Sequence, residues 1–186
     1  RDYKVTGVQT CALPILLAHD FPYADLTFTD QPAVSVLQAD RQKTVAVEFF
    51  SFSKSYNMGG FRIGYAIGKA EIIQALRQVK ASVDFNQYPG IQQGAIAALT
   101  GPQDSVNHTL ATYRQRRDTA VAAFHRHGWP VQVPDATLYL WIRLPEVWSR
   151  RSMEFCTRLV ATTGIALAPG VGFGKAGEGY LRIALV

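Results

Sequence analysis

Two short, near-continuous apolar runs constrain the chain most: TVAVEFF at 44–50 and RIGYAI at 62–67, on either side of SFSKSYNMGGF. They are rich in Val, Ile and Phe and lack polar alternation, which predicts strands covered on both faces. Leu16-Leu17-Ala18, ending at His19-Asp20, reads as the end of a third such strand. Covered strands need helices, and the sequence supplies them. Ile72, Ile73, Leu76 and Val79 have helical spacing, and long helices are predicted at 91–100 and 103–127. Gly101-Pro102 separates those two helices, and Gly128 with Pro130 closes the second. From Val131 the texture changes. TLYLWIRL (137–144) alternates as a strand does, with Tyr139 and Trp141 read as core. Residues 152–163 read as a helix with Phe155, Cys156, Leu159 and Val160 inward, stopped by Gly164, and YLRIALV (180–186) as a last strand. The pattern predicts an α/β unit followed by a smaller α+β unit.

The first 15 residues, RDYKVTGVQTCALPI, fit neither period and carry no capping signature. A secretory signal fits badly, because the polar run 6–10 interrupts the apolar one and no small-x-small cleavage site follows. Back-translation of Val5 to Ile15 instead resembles a common sequencing-library adapter. Residues 1–15 are therefore expected to be an artefact outside the fold.

With 186 residues, 48% hydrophobic and 18% charged, the chain has the bulk of a globular domain or of parts of two. No apolar run approaches the roughly 20 residues a membrane-spanning helix needs, so no membrane partner is expected. The net charge of +5 is mild and scattered, and Arg114, Arg116 and Arg117 read as a solvated helix face, so no nucleic-acid partner is expected. Of the two cysteines, Cys11 falls in the suspected adapter and Cys156 on an apolar helix face. One natural cysteine makes no internal disulfide, which points to a reducing, cytoplasmic compartment. His19, His108, His125 and His127 lack metal-ligand partners at a useful spacing, and no metal is expected.

The chemistry concentrates in SFSKSYNMGGFRIG, residues 51–64. Lys54 follows a strand and the hydroxyls of Ser51 and Ser53, and Arg62 comes after Gly59-Gly60. A partly desolvated lysine near cationic groups has a lowered pKa and can form a Schiff base with a carbonyl. Hydroxyls and an arginine fork suit a phosphate. Together they suggest pyridoxal phosphate. Taken alone, S-x-S-K is more often a surface lysine in a Gly-rich turn. Upstream, HDFPYADL places Asp20 at a strand end with Tyr23 three residues on. That supplies an anion for a pyridinium nitrogen and a hydroxyl for a phenolic oxygen.

HDFPYADL, SFSKSYNMGGFRIGYAIG, APGVGFG and GEGYLRIAL together resemble the fold-type I pyridoxal-phosphate aminotransferases of classes I and II, over essentially all of 16–186. LLAHDFPYADL, ALRQVKASVDFNQY and GKAGEGYLRIALV resemble the LL-diaminopimelate or aspartate aminotransferase-like group. The resemblance implies the C-terminal part of the large-domain three-layer α/β sheet at 16–105. A small α+β domain at 106–186, linker helix included, would follow. Lys54 would hold the cofactor covalently and shuttle a proton. Asp20 would pair with the pyridinium nitrogen and Tyr23 with the phenolic oxygen. Ser51 and Arg62, with Ser53, would hold the phosphate. Arg182 would clamp the substrate α-carboxylate. On residue pattern alone, an arginine between Leu181 and Ile183 is equally a solvated strand residue. PGVGFG (169–174) resembles the loop that closes over substrate.

The implied activity is amino-group transfer between an amino acid and a 2-oxo acid by a homodimer. The Gly-rich turn and N-P-x-G stretch of the family are not found here, so the resemblance implies an N-terminally truncated fragment, inactive alone. The alternatives are a carbon-sulfur β-lyase of the same fold, an inactive aminotransferase-like domain, and the effector domain of a transcription regulator.

Overall fold

The computed structural model describes residues 16–186, so the reading of 1–15 as translated adapter lies outside the described residues. The chain forms two compact units. The first comprises the described residues up to Ala24 together with Pro32–Gln103. The second comprises Asp25–Gln31 and Asp104–Val186.

In the first unit, β1 (Leu17–Asp20), β2 (Ala46–Ser51) and β3 (Gly64–Gly68) form a sheet in the order β1-β2-β3. β1 runs parallel to β2, and β3 antiparallel. The helices are α1 (Val36–Ala39), α2 (Phe52–Ser55), α3 (Ala70–Val83) and α4 (Pro89–Thr100). Two carboxylates set the course of β2. The Asp40 carboxylate accepts the backbone N–H groups of Thr44, Val45 and Ala46 at 2.9 Å, and the Thr44 hydroxyl at 2.8 Å. These bonds, the Thr44 and Val45 amides foremost, hold the Asp40 carboxyl well below the usual carboxylate range. Further on, Glu48 is fully buried and accepts bonds from the Ser35 hydroxyl at 2.7 Å and the Val36 N–H at 3.0 Å.

The predicted covering of all three strands on both faces does not hold. Ala46, Val47 and Glu48 of β2 are buried, but Leu17 of β1 is 37% exposed and Ile67 of β3 likewise. β1 and β3 each pair on one side only among the described residues. A continuous apolar run reports that a strand has two faces suited to cover. It does not supply the cover.

In the second unit, α5 (Asp104–Arg126) precedes β4 (Tyr139–Arg143), α6 (Ser152–Thr163), β5 (Ala168–Pro169) and β6 (Tyr180–Ala184). The sheet order is β4-β6-β5, antiparallel throughout. Leu140, Ile142 and Leu181 turn inward onto Val121 of α5 and Cys156 of α6. Burial pushes the Cys156 thiol pKa up, which suits a core residue rather than a nucleophile. Residues 25–31 pack with this unit. Leu26 is fully buried, Thr27 bridges to Ala136, and the Arg117 guanidinium lies 4.4 Å over the Phe28 ring.

Two sequence expectations fail here. Trp141 is 42% exposed and Tyr139 only half-buried, because period-2 alternation gives the core to Leu140 and Ile142 instead. Val160 is exposed, because the inward stripe of α6 runs through Ser152 and Cys156, with Phe155 and Leu159 partly buried. Gly164, at φ 74°, ends α6 as its position suggested. Among the described residues no helix is long and apolar enough to cross a membrane.

Candidate active site

Six of the seven sequence-predicted site residues lie in the first unit, at the ends of paired strands. Asp20 is the last residue of β1 and sits opposite Phe49 of β2. The Phe21 N–H donates to the Phe49 carbonyl at 2.8 Å, extending the pairing just past Asp20. Ser51 is the last residue of β2 and the N-cap of α2, its hydroxyl accepting the Ser53 N–H at 3.1 Å. This is why the strand turns into a helical turn there. Phe52 and Ser55 are each 2% exposed and anchor that turn, so Ser53 and Lys54 lie on its partly open side. The Phe52 ring packs on Tyr56 and Tyr65 at 5.4 and 5.5 Å. The Lys54 ammonium stands 6.0 Å from the centroid of the Tyr23 ring. That distance joins the segment after β1 to the turn after β2.

Arg62 returns to the same end of the sheet. A 3-10 turn, Gly59–Phe61, reverses the chain, and Arg62 adopts a left-handed conformation at φ 52°. Its guanidinium donates to the Gly59 carbonyl at 2.9 Å. Two residues on, Gly64 pairs with Ser51. A Cβ at Gly64 would lie 2.5 Å from the Phe50 carbonyl oxygen, so only glycine permits this close return of β3.

Arg182 belongs to the second unit. On β6 it sits opposite Trp141 of β4 and Ala168 of β5. Its guanidinium carbon is 4.2 Å from the Tyr139 ring centroid and 4.3 Å from that of Phe173. Among the described residues it forms no ion pair.

Sequence reasoning passed over Glu48, Tyr139 and Phe173 as parts of the site's scaffold. Glu48 meets the Nδ1 of His19 at 2.6 Å, fixing the strand that ends in Asp20. A glutamate inside TVAVEFF was the available signal, because a buried carboxylate requires partners. PGVGFG marked the loop that contains Phe173, but no local pattern signalled the contact of Tyr139 and Phe173 with Arg182, because it depends on β4, β6 and a distant turn.

The chain belongs to the class I and II aminotransferase family, whose family model matches residues 8–186. It is 45% identical over 171 residues to an LL-diaminopimelate aminotransferase of Dehalococcoides mccartyi, covering 92% of this chain and 44% of that protein. It is 39% identical over 173 residues to the glutamate-pyruvate aminotransferase AlaC of Escherichia coli, covering 92% and 42%. Among solved structures, substrate-bound BacF of Bacillus subtilis superposes with a TM-score of 0.87 at 35% identity, covering 92% of this chain and 44% of that one. A probable N-succinyldiaminopimelate aminotransferase of Thermus thermophilus gives 0.83 at 43% identity, covering 92% and 45%. The chain thus spans a little under half the length of the curated relatives it matches.

The donor set of the first unit suits pyridoxal phosphate. Ser51 keeps its O–H to donate, because its oxygen is used as an acceptor. Arg62 spends one N–H on Gly59 and keeps others. Ser51 and Arg62 thus retain donors of the kind a phosphate dianion takes.

Proposed function

We propose that this chain contributes the lysine-bearing part of a pyridoxal-phosphate-dependent aminotransferase. The reaction would move an amino group between an amino acid and a 2-oxo acid. The observation that carries it is the convergence of Asp20, Lys54 and Arg62, which follow three different strands or turns, on one end of the β1-β2-β3 sheet. When bound, the cofactor supplies a protonated, conjugated ring that takes up the electron pair left at the substrate α-carbon. Asp20 would hold its carboxylate against the ring nitrogen and keep it protonated. Tyr23 would donate to the ring's phenolic oxygen. Ser51, Ser53 and Arg62 would bind the phosphate and fix the ring's position. Lys54 Nζ would anchor the group and, once released, carry the proton to and from the substrate α-carbon. Arg182 would bind the substrate α-carboxylate through two parallel N–H bonds.

An LL-diaminopimelate donor is the preferred substrate reading, supported by the names of several relatives, and an aspartate donor rests on the sequence resemblance alone. A homodimer in the cytoplasm completes the proposal. The chain matches 44% of the first curated relative, and the remainder of the site would correspond to the part of that relative it does not match. Borohydride reduction in the presence of pyridoxal phosphate should leave a pyridoxyl group on Lys54, found by peptide mass spectrometry. Lys54→Ala should abolish it. A label elsewhere, or none, would overturn the assignment. In the whole enzyme, keto-acid formation without ammonia release separates transfer from β-elimination.

A further inference from the structure

The outward face of the β4-β6-β5 sheet is aromatic around one cation. Trp141 stacks on Tyr180 at 5.5 Å with 12° between the planes, and meets Phe173 edge-on at 5.6 Å and 77°. The Arg182 guanidinium lies over both Tyr139 and Phe173. We propose that Tyr139 and Phe173 are positioning residues for Arg182, presenting its in-plane N–H groups to a carboxylate ligand. This rests on the reading of Arg182 as the carboxylate clamp.

The physical case has three parts. A ring face attracts the guanidinium through its π cloud and leaves the in-plane donors unspent. No acidic side chain among the described residues pairs with Arg182 and competes for those donors. A free arginine also loses much rotamer freedom when it closes on a carboxylate, and two flanking rings remove part of that loss beforehand.

Phe173 is itself braced, although 50% exposed. It ends the 3-10 turn Gly170–Phe173. The Val171 N–H of that turn donates to the hydroxyl of Ser152, a fully buried residue, at 3.4 Å. The Glu178 carboxylate accepts the Ser152 N–H at 2.7 Å and the Gly179 N–H at 3.0 Å. These amides, Ser152 first, lower the Glu178 pKa, so the brace stays ionised at neutral pH. The turn is thereby tied to the start of α6, and Phe173 is held where Arg182 meets it.

The test uses the full chain and pyruvate as the carboxylate probe. Binding is read from the side-chain Nε–Hε signal of Arg182 by NMR, assigned with Arg182→Lys. Phe173→Leu and Tyr139→Leu keep apolar bulk and remove the π face, so both should fold. Each is expected to weaken pyruvate binding about fivefold, while Phe173→Tyr and Tyr139→Phe restore it. Unchanged affinity in both leucine variants, with wild-type binding intact, overturns the positioning role alone. An Arg182 signal that pyruvate does not move in the wild-type chain overturns the clamp reading and this proposal with it.

Discussion

The Nδ1 of His19 lies 2.6 Å from a carboxylate oxygen of Glu48, its register partner across β1 and β2. His19 also stacks on Phe21 at 4.6 Å, so the two residues flanking Asp20 are fixed together. The Glu48 carboxylate takes the Ser35 hydroxyl and Val36 N–H as well, joining the start of α1 to the sheet. One buried side chain therefore positions the strand that carries the proposed ring-nitrogen partner.

Truncating that side chain should be costly. Glu48→Ala removes the acceptor shared by three donors in a fully buried place, and is expected to destabilise the first unit by roughly 2–4 kcal/mol. His19→Ala, at a partly exposed partner, should cost less than half as much. Urea unfolding of both variants checks the order; equal costs would place the network's weight elsewhere.

Acid should loosen the entry to β2. Asp40 titrates lower in the folded chain than in the unfolded one, because three backbone amides and a hydroxyl bond its charged form. Its contribution is therefore fully present above the ordinary aspartate range and is lost as pH falls below about 4. Asp40→Asn should lower the melting temperature at pH 7 and flatten its fall between pH 5 and pH 3, measured by circular dichroism.

Arg62 offers a separation of binding from stability. It is exposed and holds a left-handed backbone at φ 52°, which favours glycine. Arg62→Gly should leave stability within about 1 kcal/mol, the relief of strain offsetting the lost side chain. Pyridoxal phosphate binding should fall at least about tenfold, as expected for a lost charge-assisted phosphate bond. Equilibrium dialysis against the wild-type chain measures this.

The loop that carries Phe173 depends on a backbone-to-backbone approach. A Cβ at Gly170 would sit 2.0 Å from the Gly177 carbonyl oxygen, and one at Gly177 would sit 2.1 Å from that of Gly170. Gly170→Ala should cost at least ~2 kcal/mol. Gly128→Ala, at φ 71° with open space around it, should cost only about 1 kcal/mol. Thermal melts of the pair distinguish steric from conformational cost.

Local pattern was enough to place most elements and the candidate residues at their joints. The apolar run ending at Phe50 reads as a short strand, so Lys54 falls on the turn beyond, while the cap that Ser51 forms for that turn came only with the structure. Asp20 and Arg62 were legible because each stands where an apolar run meets a turn. Long-range packing settled what a local period cannot encode. Alternation in TLYLWIRL admits either face as the core, and packing against α5 and α6 gave it to Leu140 and Ile142, leaving Trp141 outside. Glu48 found its partners 12 and 13 residues upstream in α1 and its cap, and 29 residues upstream in β1. Tyr139, Phe173 and Arg182 come from a strand, a turn and another strand. Their contact exists because antiparallel register sets side chains of separate segments side by side, a relation that no one-dimensional pattern contains.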